Sequence, residues 1–394
     1  MAALDLTFNQ LSTVLAAITS QATGSAVLAP VDTSSFVAVG QTALKTGYDV
    51  LSTAISQVLS RTIFSVRPYT DKFRGLDVTE QQYGNITRKL SVVDKPFEDD
   101  NRIKLVDGQS IDPFKVNKPS VVQENFYGAN VFQKSVTLYR DQLDCAFSSP
   151  EEFGRFLSMV LQNASDMIAQ ARENTKRATL CNLIGAIVGN YSAQNIKLVT
   201  EYNTRLGLSG QNVLTWASIC ADSAKYSAFM KFAYARVASL SAMLTERSSK
   251  YHANITGKVI ERHTPYERQR LYMIAQERYG MEAQVLADTY HDNYLRYSDV
   301  ETVNFWQNIS NPDTVNVTPA YLNTSTGAVA VGDAVNKSGV FAVLMDVDAA
   351  GVAQVNEWAD SIWNPSGGYT NMFWHFTQKY WNSFTENALV FTLD

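Results

Sequence analysis

The stretch from Arg67 to Lys118 constrains this chain most strongly, because it is too charged to form a core of its own. Its 52 residues hold 19 of the 71 charged residues in the sequence, ten basic and nine acidic. Such a nearly balanced segment neither repels itself like a tail of one sign nor binds a polyanion. We expect it to lie on another protein surface.

The size and charge of the chain narrow the class of protein to which it can belong. With 394 residues and 45% hydrophobic content, it can form two or three compact units. Its net charge of −5 argues against a dedicated nucleic-acid binder, which would carry a basic face. No Lys or Arg precedes Lys45, and no apolar run approaches about 18 residues. We therefore expect a soluble protein that is made in the cytosol and does not enter a membrane.

Apolar spacing predicts the elements near the N-terminus. Apolar residues recur every three or four positions from Leu4 to Ile18 and again from Tyr48 to Leu59, which predicts two amphipathic helices. Between them, Gln21 to Gly40 is rich in Ala, Ser, Thr and Val and contains Pro30. This composition predicts an extended arm that is ordered by the surface against which it lies.

The strongest helix start is at Ser149. Ser149 as N-cap, Pro150 at the first helical position and Glu152 three residues after the cap predict a capping box. The apolar face continues toward Gly189, and about 40 residues rising 1.5 Å each give a helix of roughly 60 Å. That length is typical of a spine along an elongated subunit.

Alternation of apolar and polar residues predicts the strands. Within the charged stretch, segments such as Ile86–Val92 predict a long two-stranded antiparallel ribbon. After it, Val131–Leu138 is predicted to be a strand that leads back into the main body of the subunit. Phe229–Leu244 predicts another helix, and Thr264 is predicted to cap a short one. Four more strands are predicted at Leu271–Ala275, Val300–Trp306, Val340–Asp346 and Ala388–Leu393. The mixed order, without βαβ regularity, favours an α+β fold.

The sequence lacks the motifs that announce an enzyme. It contains no G-x-S-x-G elbow, P-loop, G-x-G-x-x-G or H-E-x-x-H. Histidine, the commonest general base, occurs only at His252, His263, His291 and His375. We therefore predict no catalytic and no cofactor-binding residues. Three widely spaced cysteines, Cys145, Cys181 and Cys220, suggest buried, reduced thiols rather than a disulfide or a zinc site.

Two groups of residues have the spacing of metal ligands. The first occupies positions one, three, six and twelve of an EF-hand-like loop: Asp346, Asp348, Gly351 and Glu357. Ala350 at position five supplies no ligand and a strand precedes the loop, so we interpret it as an acidic turn. The second would lie on one side of a helix: Asp288, His291 and Asp292. We interpret it as a hydrogen-bonded surface patch and predict no metal site.

Eight aromatic residues fall between Trp363 and Phe384. Stacking platforms for single-stranded nucleic acid interleave aromatic residues with Arg and Lys, but here Lys379 is the only basic residue. The aromatic residues also occupy both parities of a strand. This pattern predicts burial on both faces, in a core or between subunits.

Four stretches carry a resemblance to a known family: Gln57–Phe64, Ala146–Phe153, Ala287–Asp292 and Thr385–Phe391. Together with the order of the elements, they make the whole chain similar to the major capsid proteins of tailed bacteriophages with the Hong Kong 97 fold. That resemblance implies an N-terminal arm over 1–66, an extended β-hairpin loop over 67–130, and a peripheral domain with a spine helix over 131–215. An α/β axial domain over 216–394 follows, with C-terminal strands that can complete either domain.

The resemblance also implies a function and partners. The chain would form hexamers and pentamers with copies of itself and build an icosahedral shell around double-stranded DNA, without sequence-specific binding. The short N-terminal helix implies that any scaffolding protein is separate, and a portal is a further expected partner. The expected location is the virion capsid, after synthesis in the bacterial host cytoplasm. An encapsulin-like compartment of the same fold and another virion structural component are the alternatives.

Overall fold

The fold is described from a computed structural model. It describes residues 8–47, 50–51, 53–55, 58, 72–78, 87–93, 98–100, 102–104, 106–112, 114, 116, 118, 120–286 and 300–394. The helices are α1 (Phe8–Thr23), α2 (Thr33–Leu44), α3 (Arg140–Ala146), α4 (Pro150–Asn190), α5 (Leu198–Leu206), α6 (Trp216–Cys220), α7 (Ser223–Leu244) and α8 (Ala275–Leu286).

The strands are mostly short until the C-terminal third of the chain. They are β1 (Thr87–Val92), β2 (Val121–Phe126), β3 (Ala129–Tyr139), β4 (Asn195–Lys197), β5 (Gln269–Ile274), β6 (Val300–Val303), β7 (Val315–Val317), β8 (Ala320–Leu322), β9 (Val329–Val331), β10 (Val335–Lys337), β11 (Val340–Asp346), β12 (Ala350–Asn364), β13 (Tyr369–Asn382) and β14 (Ala388–Thr392). Helices and strands alternate irregularly, which confirms a mixed α and β class.

The N-terminal helices pack on the first half of α4. The helix predicted from Leu4 begins, in the described residues, at Phe8, and the described residues between 50 and 58 are helical as well. The extended arm predicted over Gln21–Gly40 is wrong in its second half, because α2 begins at Thr33. Asp32 caps α2 by accepting a hydrogen bond from the Ser35 amide at 2.7 Å, and Phe36 is buried beneath it. Local capping and tertiary packing thus outweigh the modest helix propensities of Ser, Thr and Val.

Helix α4 confirms the predicted spine. It contains 41 residues, and its N-cap Ser149 accepts a hydrogen bond from the Glu152 amide at 3.2 Å. The reciprocal half of the predicted capping box is not formed, because the Glu152 carboxylate bonds Arg155 at 2.8 Å instead. The short helix predicted at Thr264 is a 3₁₀ turn over Tyr266–Arg268 without a side-chain cap.

The central sheet has five strands in the order β4-β14-β11-β5-β6. Strand β11 matches the predicted Val340–Asp346, and every residue in it is buried. The second half of α4 covers one face of the sheet, and α5 and α7 cover the other. A strand covered on both faces must be apolar at both parities, which is why β11 reads as a continuous apolar run.

A second sheet has three antiparallel strands in the order β12-β13-β3. Its inner face packs on α4 and the N-terminal helices through residues such as Leu138, Met372 and Trp374. Strands β12 and β13 follow β11 of the central sheet and pair with each other. Strand β13 also pairs with β3, which lies more than 200 positions earlier in the chain. The C-terminal strands are therefore divided between the two sheets, since β14 stays in the central one.

The predicted ribbon exists, but its regular part is short. Strands β1 and β2 pair antiparallel over six residues each, from Thr87 opposite Phe126 to Val92 opposite Val121. One more backbone bond, from the Val93 amide to the Ser120 carbonyl at 2.9 Å, continues the ladder. The described residues between 98 and 118, which we call the tip, contain no strand.

Candidate functional site

The charged stretch does not behave as one unit, since its first described part belongs to the core. Residues 72–78, which we call the strap, place Phe73 and Leu76 among the buried side chains of the central core. Phe73 is 1% exposed and adopts a left-handed backbone conformation with φ of 62°. Its ring lies 5.8 Å from that of Tyr272, and the Arg177 guanidinium lies 5.0 Å from its centroid. The strap is therefore a fixed part of the subunit body.

Charged groups fasten the strap to α4 and β12. The buried Lys176 ammonium lies 2.6 Å from the Asp77 carboxylate, and the Val78 amide donates to the Val352 carbonyl at 3.1 Å. Beside them, Arg177 pairs with Glu173 at 2.5 Å and stacks over the Phe305 ring at 3.9 Å. Buried ions are tolerated only when they are paired in this way.

The inner face of the ribbon rests on the body of its own chain and combines polar side chains with the buried Val122. Lys89 on β1 lies 2.5 Å from the Glu386 carboxylate and donates to the Ser383 hydroxyl at 2.7 Å. Arg262 reaches the same carboxylate at 3.3 Å and donates to the Ser91 hydroxyl at 2.6 Å. These contacts join three parts of the chain at one cluster of charges and fix the orientation of the ribbon.

The outward face of the ribbon is exposed, and half of its residues are apolar. Because opposite residues in an antiparallel pair share a face, Arg88, Leu90 and Val92 lie with Asn125, Gln123 and Val121 on one side. Leu90 is 68% exposed, Val92 63% and Val121 48%. The inner face of the ribbon also carries the buried Val122, so the three outward apolar residues are additional ones that the chain itself does not cover. Exposed groups of large apolar side chains are typical of interaction surfaces.

The tip carries further apolar side chains into solvent. Ile103, Val106, Phe114 and Val116 are all exposed, with Phe114 at 85%. Polar contacts within the tip include those between Arg102 and Asp100 at 2.6 Å and between Lys104 and Asp99 at 4.0 Å. The apolar side chains beside them stay exposed on the isolated chain.

The three-stranded sheet has a second outward face. The strand register places Trp358 and Ile362 of β12 on this face with His375 of β13 and Val131 of β3. Trp358 stacks on the His375 ring at 4.0 Å, and Ile362 and Val131 are exposed. The aromatic-rich segment was predicted to be buried on both faces. Within a single chain it is buried on one face, and its second face is only partly covered.

The carboxylates of the first predicted ligand group are already bonded to cationic and hydroxyl side chains of the protein itself. Asp346 accepts from Thr264 at 2.9 Å and pairs with Arg268, which also pairs with Asp348. Glu357 points elsewhere and pairs with Arg172 at 3.1 Å. In the regions that the structure describes, no three His, Cys, Asp or Glu side chains are grouped to hold a metal.

The second predicted ligand group, Asp288, His291 and Asp292, lies outside the described residues, as does the stretch Ala287–Asp292 that contributed to the resemblance. The stretch Gln57–Phe64 also lies outside them apart from Val58. Ala146–Phe153 and Thr385–Phe391 are described: the first joins α3 to α4, and the second contains Glu386 of the ribbon contact and the beginning of β14.

The thiols differ from the prediction at two of three positions. Cys181 is buried on α4, and burial raises the pKa of its thiol to about 12. Cys145 and Cys220 are exposed. Neither helix bearing them is covered by another element at that position, which apolar spacing alone does not reveal. Of the histidines, His252 is buried between the Asn387 side chain at 3.0 Å and the Ile260 carbonyl at 2.7 Å.

The sequence analysis did not single out the exposed residues Leu90, Val92 and Val121. The alternation of Leu90 and Val92 with Lys89 and Ser91 is visible in the sequence and assigns the two apolar residues to one face of the ribbon. Which face turns outward depends on Glu386 and Arg262, which lie far along the chain. Within the described residues, no helix is long and apolar enough to cross a membrane.

Comparison with known proteins agrees with a protein that acts through its exposed surfaces rather than through a binding pocket. The model of the Phi29-like phage major capsid protein family matches residues 15–392. No curated protein sequence matches this chain. A chain in the capsid structure of Staphylococcus phage Andhra has 13% identity and a TM-score of 0.56, with 83% of this chain and 85% of that chain covered.

A second similar chain comes from the structure of the head fiber and inner core protein gp22 of native bacteriophage P68. It has 12% identity and a TM-score of 0.55, with 83% of this chain and 86% of that chain covered. At such identities the likeness concerns the fold alone.

The family model covers nearly the whole chain, which places the chain among the major capsid proteins of phages. The chain is a member of the Phi29-like phage major capsid protein family. The predicted resemblance to phage major capsid proteins is confirmed.

Proposed function

We propose that this chain assembles into hexamers and pentamers that close an icosahedral shell around the double-stranded DNA of a tailed phage. Its family and its fold make it a subunit of a phage capsid. The exposed apolar side chains of the ribbon carry the finer proposal: ion pairs hold its inner face on the body of the chain, and Leu90, Val92 and Val121 face away from it. In a capsid, the most numerous neighbouring surfaces are those of other copies of the same chain.

We assign the parts of the subunit to the Hong Kong 97 plan as follows. Helix α4 is the spine, and the ribbon with its tip is the extended loop. The three-stranded sheet is the sheet of the peripheral domain, so β12 and β13 return to it from the end of the chain. The central sheet with α5 and α7 is the axial domain. This division supports hexamers and pentamers because the axial unit lies at one end of an elongated spine.

The net charge supports a container for DNA rather than a DNA-binding protein. Each phosphate that a protein neutralises adds salt-dependent affinity, which would impede both filling and ejection. A chain of net charge −5 avoids that affinity. Nuclease-resistant DNA inside purified particles is the expected result, and its absence would favour a compartment that holds a different cargo. A separate scaffolding protein and a portal are the further partners that we propose.

Electron microscopy of the full-length protein expressed alone tests the proposal. We expect closed shells of uniform size, because the exposed apolar side chains of the ribbon and the tip are surfaces that other copies of this chain can cover. Open tubes would favour another virion component, and a stable monomer at micromolar concentration would contradict self-assembly.

A further inference from the structure

A cavity lies at the root of the ribbon, where β2 passes into β3. Its volume is about 610 Å³, within the range of roughly 300–1,000 Å³ that is typical of small-molecule sites. Its walls come from the ribbon root between Asn125 and Asn130, the middle of α4, the β8–β9 hairpin and the end of β13. A cavity that draws on such distant segments exists only in the folded subunit.

The wall between the ribbon root and β13 is already formed without a ligand. The Tyr380 amide donates to the Gly128 carbonyl at 3.2 Å, and a Cβ atom at position 128 would lie 2.5 Å from the Tyr380 carbonyl oxygen. Glycine is the residue that permits so close an approach of two backbones. Beside it, the rings of Phe126 and Trp381 lie 6.4 Å apart. A ligand would find this wall in place, which lowers the cost of binding.

The lining of the cavity is uncharged. The described residues around it include no Asp, Glu, Lys, Arg or His. Aromatic rings from the ribbon root and from the end of β13 supply most of the apolar surface, and Asn and Thr side chains supply the polar groups. An ion would lose its hydration here without gaining a counter-charge. The lining therefore suits a neutral, flat aromatic molecule.

Two asparagines of the lining use their amide groups differently. Asn182 donates to the Ala320 carbonyl at 3.1 Å and accepts from the Ala320 amide at 2.8 Å, so its side chain serves to hold β8 on α4. Asn382 donates to the Thr179 carbonyl at 3.1 Å, which fixes its orientation because only the amide nitrogen can donate. Its Oδ1 is buried and has no hydrogen-bond partner among the described residues. Buried acceptors are normally bonded, so this atom points to a donor that the chain does not supply.

We propose that the cavity binds a neutral aromatic molecule that carries an N–H or O–H donor. The donor bonds Asn382 Oδ1, and the rings pack against Phe126 and Trp381. Such a ligand contacts the ribbon root and α4 together. Because it binds only the folded arrangement, it stabilises the ribbon on the spine by mass action. This ligand site is separate from assembly and does not depend on the closing of a shell.

Indole and 1-methylindole test the proposal, because a methyl group replaces the donor in the second. In ligand-detected NMR titrations of the full-length protein, indole should bind, and 1-methylindole should bind about two- to tenfold more weakly, as the loss of one hydrogen bond predicts. Asn382→Leu removes the acceptor, so the two dissociation constants should become nearly equal. Indole should also slow amide hydrogen exchange at Phe126 and Tyr127 in the unmodified protein.

A pair of matched variants shows where the ligand binds. Ala178→Trp fills the cavity from α4 and should abolish binding of both molecules. Ala283→Trp makes the same substitution at an exposed position of α8 outside the cavity and should leave both dissociation constants unchanged. Thermal unfolding without ligand checks that each variant is folded. If Ala178→Trp does not fold, the loss of discrimination in Asn382→Leu decides.

Four results would overturn the proposal. They are no binding of indole at millimolar concentration, equal affinity of the unmodified protein for the two molecules, binding that survives Ala178→Trp, and a preference for indole that persists in Asn382→Leu.

Discussion

The strap and the tip belong to the same charged stretch, but the fold uses them in opposite ways. Phe73 in the strap is 1% exposed and packs on Tyr272 and Arg177, whereas Phe114 in the tip is 85% exposed. Both are phenylalanines among charged residues. The difference shows that charge density does not decide which segments belong to the core. A charged segment joins the core when residues far away in the sequence supply partners for its charges.

The largest expected effect separates the two phenylalanines. Phe73→Ala removes a fully buried ring and should lower the free energy of unfolding by about 3–5 kcal/mol. Phe114→Ala removes an exposed ring and should change that free energy by less than about 0.5 kcal/mol. Denaturant unfolding of both variants measures the contrast. Equal losses would show that the tip packs on its own subunit.

The pH dependence of subunit stability sharpens the same contrast between buried and exposed charge. Burial, assisted by Asp313, raises the pKa of Glu277 on α8 to about 7. The folded protein therefore keeps a proton that the unfolded chain releases near pH 4.5. The contribution of Glu277 to stability is fully present below that pH, is lost as the pH rises to about 7, and is absent above it, with a total loss of about 3 kcal/mol at most.

Glu277→Gln should remove most of this slope. The amide stays neutral, so the variant should be more stable than the unmodified protein at pH 8 and similar to it at pH 4. Thermal unfolding across this range measures the difference. Asp107→Asn in the exposed tip is the control, and its pH profile should follow that of the unmodified protein. An unchanged profile for Glu277→Gln would place the titrating group elsewhere.

A smaller effect is expected at the ribbon, which lies between the strap and the tip. Lys89→Met removes the ammonium that contacts Glu386 but leaves the carboxylate its contact with Arg262. Loss of a partly buried pair should weaken the docking of the ribbon by about 1–2 kcal/mol. Amide hydrogen exchange in β1 and β2 should become about tenfold faster. Arg88→Met on the other face should leave exchange in the isolated subunit unchanged.

The smallest effect is expected for the ion pair at the tip. Arg102 and Asp100 lie 2.6 Å apart and are solvent-exposed. Exposed pairs add little to stability because water and salt screen them. Arg102→Ala should leave the thermal midpoint unchanged, and a clear drop would show that the tip is part of the folded body.

Local signals explain what the sequence predicted well. Ser149 and Pro150 predicted where α4 begins, because they are typical of the N-cap and the first helical position. The apolar run Val340–Asp346 predicted both ends of β11. Helix α2 was missed because its order depends on the cap at Asp32 and on the packing of Phe36. The strap was missed because Glu173, Lys176 and Glu301, which hold it, lie at least 95 positions away.

The candidate surfaces were predicted only in part. Composition predicted that the charged stretch lies on another protein, and the exposed tip agrees with that expectation. The orientation of the ribbon follows from Lys89, Glu386 and Arg262, which meet only in the folded chain. No local pattern reveals such a meeting, so the outward position of Leu90 and Val92 had to come from the structure.

Replacing residues 94–119 with an Asn-Gly turn tests the central claim most directly. The Val93 amide and the Ser120 carbonyl are already hydrogen-bonded at 2.9 Å, so a two-residue turn closes the ribbon without strain. Thermal unfolding and electron microscopy are applied to the same sample. We predict a subunit that unfolds at the unmodified midpoint and forms no closed shells. Normal shells, or a subunit that no longer folds, would contradict the account.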